Sequence, residues 1–101
     1  MKRFLLVVLL ATLGLTSTIE ARCHVAYVGG LDPYGDNFLA VREGPDSRYR
    51  QYDSLYSGNR VFVCDYRGSW RFVYYGQGCY LDYAQPRGGC RSGWVHGGYV
   101  R

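Results

Sequence analysis

Lysine is almost missing from this chain: Lys2 is the only one, and every other side-chain cation is Arg. Past residue 21 there are ten Arg against seven acids, a net charge of about +3, with no basic run or stripe. Dispersed Arg gives solubility and weak attraction to anionic surfaces, but nucleic-acid binding needs a clustered basic face. Histidine is scarce too, with only His24 and His96. No Ser sits in a nucleophile-elbow motif, so no nucleophile–base pair is legible and the chain reads as a non-enzyme. There is no C-x-x-C pair and no D-x-D-x-D loop, which argues against zinc and calcium sites. No cofactor is expected. The longest apolar run, Phe4–Leu15, has twelve residues. A membrane span needs roughly 20. Outside that run no segment has the 3.6-residue period of a helix.

What stands at the N-terminus has the form of a secretory signal. Lys2 and Arg3 precede the apolar run, and Thr16–Ala21 supplies small residues for cleavage after Ala21. Arg22 stands just before Cys23, where a lipid-anchored Cys would need a small neighbour. The expected layout is a cleaved signal over 1–21 and one domain over 22–101, periplasmic or secreted, monomeric, with no stable membrane span.

All four cysteines, Cys23, Cys64, Cys79 and Cys90, fall in that domain. An even count in a small exported domain predicts two disulfides, each adding about 2–4 kcal/mol. Three pairings are open. Cys79 and Cys90 flank a single Gly- and Pro-containing loop, which favours Cys79–Cys90 and therefore Cys23–Cys64.

What the chain has in abundance is tyrosine, eleven in all, and Gly-punctuated β-forming segments. Cys23–Val28, Phe38–Arg42 and Gly93–His96 read as strands, and Tyr49–Tyr56 as a short or bent one with Leu55 inward. Val61–Val63 and Arg71–Tyr75 read as a hairpin around Asp65–Ser69, with Gly68 at a positive-φ position. Leu31–Asn37 is a turn-rich loop suited to Asx turns, and Gly76–Cys90 an extended hairpin loop tied at its base. Close strand spacing with Gly-rich turns predicts a small all-β barrel. Eleven Tyr exceed what one small core buries, so an aromatic surface for sugars or peptides is expected.

Four of these segments carry a resemblance. Leu39-Ala40-Val41-Arg42-Glu43-Gly44-Pro45, then Gly58-x-x-Val61-x-Val63, then Gly68-Ser69-Trp70, then Gly93-Trp94-Val95 resemble, in order, the signatures of bacterial SH3-type domains. The likeness covers about residues 38–100, interrupted by the loop between Cys79 and Cys90. It implies an SH3-like barrel of about five to six strands and noncovalent binding of a cell-envelope ligand such as a peptidoglycan stem peptide or cross-bridge. By analogy with the eukaryotic groove, Trp70, His96 and Tyr99 would line the site, with His96 where a Pro is usual. For the acidic loop of that groove the sequence offers Asp32, Tyr34 and Asp36. Arg71 or Arg91 would hold a ligand carboxylate by a forked pair of hydrogen bonds. A competing reading is a protein–protein module, a small secreted inhibitor or subunit. It would use the aromatic face or the Cys79–Cys90 loop with Tyr80, Leu81 and Tyr83.

Overall fold

The computed structural model describes residues 22–101; the signal-type segment 1–21 lies outside the described residues. The described residues hold eight strands and one short 3₁₀ turn. The strands are β1 (His24–Tyr27), β2 (Leu39–Arg42), β3 (Gln51–Leu55), β4 (Arg60–Arg67), β5 (Trp70–Tyr75), β6 (Cys79–Asp82), β7 (Gln85–Gly88) and β8 (Arg91–His96), and the 3₁₀ turn covers Gly97–Tyr99. Six strands form one antiparallel sheet in the order β1-β4-β5-β8-β2-β3, and β6 pairs with β7 separately. Among the described residues no helix is long and apolar enough to cross a membrane.

Alternation decides which face each strand buries. Leu39 and Val41 on β2, Val61 and Val63 on β4, Val73 and Tyr75 on β5 and Val95 on β8 all point inward. They join Ala26, Val28 and Leu55 in a single cluster fed by all six strands or their immediate ends. One sheet surrounding one cluster has to curl. Side-chain bonds across it show the curl directly. On β5, Tyr75 donates its hydroxyl to Asp53 Oδ2 of β3 at 2.7 Å, although β8 and β2 lie between these strands in the hydrogen-bonding order. Arg91 Nη1 at the start of β8 meets the same oxygen at 3.0 Å. From β3, Tyr52 also reaches across and donates its hydroxyl to the Ser92 carbonyl. Its ring passes over Gly93, where a Cβ would collide with Tyr52 and with Val41. Gly93 thus permits the close approach that the curled sheet needs.

The chain end seals the first strand. Tyr27 and Arg101 exchange both backbone bonds, at 2.7 and 2.8 Å, and Val28 bridges Val100. β1 is therefore held on one edge by β4 and on the other by the last two residues.

A second, smaller cluster lies on the opposite face of β4. Phe62 points away from the main core and packs with Cys23 and Cys79, flanked by Cys64, Tyr74, Leu81 and Cys90. Cys23 is bonded to Cys64 and Cys79 to Cys90. Both bridges therefore sit in one small apolar layer, which the β6–β7 hairpin covers. Alternation sets Cys64 on the Phe62 face, and the ladder shift between Val63 and Asp65 pairs Asp65 with Phe72 on that same face.

Two segments differ from the sequence expectation. The central hairpin does not turn over five residues: Arg67 pairs with Trp70, leaving only Gly68-Ser69 between strands. With a φ of 56°, Gly68 allows this tight turn, and the strands gain pairing from Asp65 to Arg67. Residues 76–90, expected as an extended hairpin loop, are more regular than that: they hold the paired strands β6 and β7. Its two-residue turn is Tyr83-Ala84, with φ of 50° and 63°. Both values are those of a type I′ turn, which most often carries Asn-Gly or Gly-Gly. Neither residue announces such a turn in the sequence.

Candidate functional site

Where β5 begins, β8 ends. The register sets Trp70 directly opposite His96, and their rings meet edge to face at 5.5 Å between centroids. Gly97–Tyr99 then turns back and brings Tyr99 to 5.8 Å from His96. The turn is anchored by the Gly97 amide, which donates to the Ser69 carbonyl at 2.7 Å. On the imidazole, Nδ1 accepts from the Gly98 amide at 3.1 Å. With Nδ1 occupied as an acceptor, the neutral ring carries its proton on Nε2.

This aromatic trio forms one wall of a groove of about 470 Å³. That volume lies within the range of small-ligand sites. The loop after β1 contributes Leu31, Asp32 and Asp36 to the same groove. Asp32 caps its own loop by accepting the Tyr34 amide on Oδ1 at 2.9 Å. This is the Asx-turn chemistry that the loop composition favours. Phe38, Leu39, Ala40, Arg42, Ser47 and Gln51 complete the lining. Two carboxylates against one guanidinium give the groove a net negative lining.

The predicted site residues divide into two sets. Trp70, His96 and Tyr99 come together on the groove. Tyr34 does not line it; its side chain is 98% exposed at the loop tip, while its neighbours Asp32 and Asp36 do. Arg71 follows Trp70 on a strand and so faces the other way. It donates to the Gly68 and Trp70 carbonyls at 2.9 and 3.0 Å, and its guanidinium lies 4.4 Å from the Tyr66 ring centroid. Arg91 sits at the opposite end of β8, paired with Asp53 and placed over the Tyr75 ring. Neither Arg lines the groove. The guanidinium that does is Arg42, whose Nη1 donates to the Tyr49 carbonyl at 3.0 Å. Arg42 was not singled out in the sequence. Its signal is weak: it is the outward partner of buried Val41, and only the curl of the sheet carries it to the groove.

At the sheet's other end, Asp53, Tyr75 and Arg91 form a polar latch. The Tyr75 hydroxyl, then the Ser54 amide and the Arg91 guanidinium, outweigh burial and hold Asp53 below the usual carboxylate range. Burial and the adjacent carboxylate push Tyr75 well up. Nothing in the latch is a nucleophile or a metal cage. Among the described residues no group of His, Cys, Asp and Glu is arranged to hold a metal ion.

The groove joins rigid rings, an imidazole donor, two carboxylates and one guanidinium. No protein-family model, characterised sequence or solved structure matches this chain.

Proposed function

We propose that this is an exported binding module with an SH3-like barrel, periplasmic or secreted and monomeric. Its groove would hold a cell-envelope peptide noncovalently, with the peptidoglycan stem peptide as the class of ligand. One observation carries the reading: Trp70, His96 and Tyr99 line a single groove together with Asp32 and Asp36. Rings of this kind give apolar contact at low entropic cost, and the carboxylates select a free ammonium group. A stem peptide carrying a diamino acid offers such an ammonium beside short apolar side chains. Arg42 would take the ligand carboxylate, in place of Arg71 or Arg91. The two disulfides support an oxidising compartment.

The test is co-sedimentation of the purified, oxidised mature protein with cell-wall sacculi. Binding is expected, with at least tenfold loss on Trp70→Ala and a further salt-sensitive loss on Asp32→Asn with Asp36→Asn. Absence of sedimentation, or full retention by Trp70→Ala, would falsify the reading.

A second reading rests on the β6–β7 hairpin. Tyr83 is 94% exposed in a positive-φ conformation that non-Gly residues seldom adopt. Strain of this kind concentrates at functional contacts. The hairpin base is closed by Cys79–Cys90, and the Cys23 amide donates to the Ala84 carbonyl at 2.9 Å. A rigid tyrosine tip is suited to filling a pocket on a partner protein. Native co-purification that survives Trp70→Ala but is lost with Tyr83→Ala would favour this reading over the groove.

A further inference from the structure

The end of the sheet that carries the latch also gathers positive charge. Tyr75 closes β5, and the register sets it opposite Val61 on one side and Arg91 on the other. Arg60 and Arg91, the first residues of β4 and β8, therefore flank the end of β5. Each guanidinium lies by a ring, Arg60 at 5.3 Å from the Phe62 centroid and Arg91 at 5.4 Å from that of Tyr75. Both residues line a cavity of about 510 Å³ that shares no lining residue with the groove.

The charged residues of that lining are one carboxylate, Asp53, against two guanidiniums, Arg60 and Arg91, a net +1. Asp53 has little left to offer a ligand. Its Oδ1 accepts from the Ser54 amide, and its Oδ2 takes the Tyr75 hydroxyl and Arg91. Arg91 balances that carboxylate and keeps N–H groups to spare. Arg60 is different: among the described residues its guanidinium has the Phe62 ring and no hydrogen bond or ion pair. Two side-chain amides complete the donor set. Asn59 uses Oδ1 to accept from the Tyr56 amide at 2.8 Å, which leaves its NH₂ to donate. Gln77, just after β5, is exposed, and among the described residues no hydrogen bond holds its side chain.

The geometry points to a site here for a phosphodiester group, carried by a lipid headgroup or by a soluble polyol phosphate. Donors come from four segments: the turn before β4, β4 itself, the turn after β5, and β8. Together with one spare positive charge they suit a monoanion whose tetrahedrally set oxygens accept from several directions. A carboxylate is matched by one guanidinium fork and leaves the other donors idle. A phosphate monoester, close to a dianion at neutral pH, would leave a negative charge uncompensated beside Asp53. The site and the peptide groove stand on different cavities, and neither requires the other.

The probes are glycerophosphoglycerol, a soluble phosphodiester, and vesicles of phosphatidylglycerol. Sodium acetate and vesicles of digalactosyldiacylglycerol, which carries no phosphate, are the controls. The ¹⁵N-labelled mature protein reports through the Nε–H signals of Arg60 and Arg91. Shifts of both at millimolar glycerophosphoglycerol would assign a soluble source, and binding to phosphatidylglycerol vesicles alone would assign the lipid headgroup. Either response should weaken with salt. Arg60→Gln should reduce it about tenfold, the loss of one hydrogen bond to a charged group. Arg60 is exposed and outside the latch, so the substitution should leave the urea midpoint unchanged. Should the midpoint fall, Gln77→Ala reads the same site with a loss of about threefold. Silence of both probes, an equal response to either control, or parent-like binding by both variants would each overturn the proposal. Shifts confined to Arg42 and the groove rings would overturn it too, while leaving the peptide groove standing.

Discussion

Replacing Tyr75 by Phe removes one hydroxyl from a ring that is only 2% exposed. The ring stays, so packing against Val73, Val95 and their neighbours is preserved. What is lost is the 2.7 Å bond to Asp53 Oδ2. A hydrogen bond to a charged acceptor contributes about 1.5–3 kcal/mol. Asp53 keeps the Ser54 amide at 2.8 Å and Arg91 at 3.0 Å, which places the expected loss at the low end, about 1.5 kcal/mol. In a domain of this size that lowers the melting midpoint by about 6–12 °C.

The pH dependence makes the test specific. Asp53 is held below its unfolded value by Tyr75 before any other group. Its contribution is therefore present above the unfolded carboxylate value of about 3.9 and is lost as pH falls through the folded one. Tyr75 is shifted the other way, upward, by burial and by Asp53. Its contribution is complete below the unfolded phenol value of about 10 and is lost as pH rises toward the folded one. The stability gap between parent and Tyr75→Phe should therefore be a plateau between about pH 5 and pH 9, narrowing on both sides. Urea unfolding with intact disulfides, at about pH 3, 7 and 10.5, measures it. A gap that does not change with pH, or one under about 0.3 kcal/mol at neutral pH, would refute the latch.

Three further outcomes follow from packing and covalent structure. Gly93→Ala should cost about 1–3 kcal/mol, because its methyl collides with Tyr52 and Val41; chemical denaturation reads this, and a neutral result would mean that β3 does not fold over β8. Ala84→Gly should raise stability by about 0.5–1 kcal/mol, since φ of 63° suits Gly, with a higher melting midpoint as the readout. Removing Cys23–Cys64, which closes a separation of 41, should cost about 4 kcal/mol, against about 3 for Cys79–Cys90 with a separation of 11. Double Cys→Ala variants compared by urea unfolding test that order.

The strand cores were legible because alternation is a strong local signal: Leu39 with Val41 and Val61 with Val63 announce their buried face. Trp70, His96 and Tyr99 were grouped by the likeness to an SH3-type groove rather than by any local signal. The rest was hidden for separable reasons. The β6–β7 turn has Tyr83-Ala84 where a turn signal would normally stand, so within the expected hairpin loop neither the tight turn nor its two strands could be placed. Arg42 reaches the groove only through tertiary curl. The displaced arginines could have been anticipated from strand geometry. Arg71 is adjacent to Trp70 and must face the other side. Arg91 is five strand residues from His96, roughly 17 Å along β8.

The ladder between Tyr27 and Arg101 bears on the order in which the molecule acquires its structure. β1 precedes the other strands in the chain, yet one edge waits for residues 60–63 and the other for Arg101. Such pairings are non-local, and topologies rich in them fold in milliseconds to seconds rather than microseconds. Until Arg101 is in place, β1 has one open edge and is held on the other by β4, through its ladder and through the Cys23–Cys64 bridge. That bridge can therefore act as a kinetic clasp, keeping the oldest strand in register while the youngest residues are still to come.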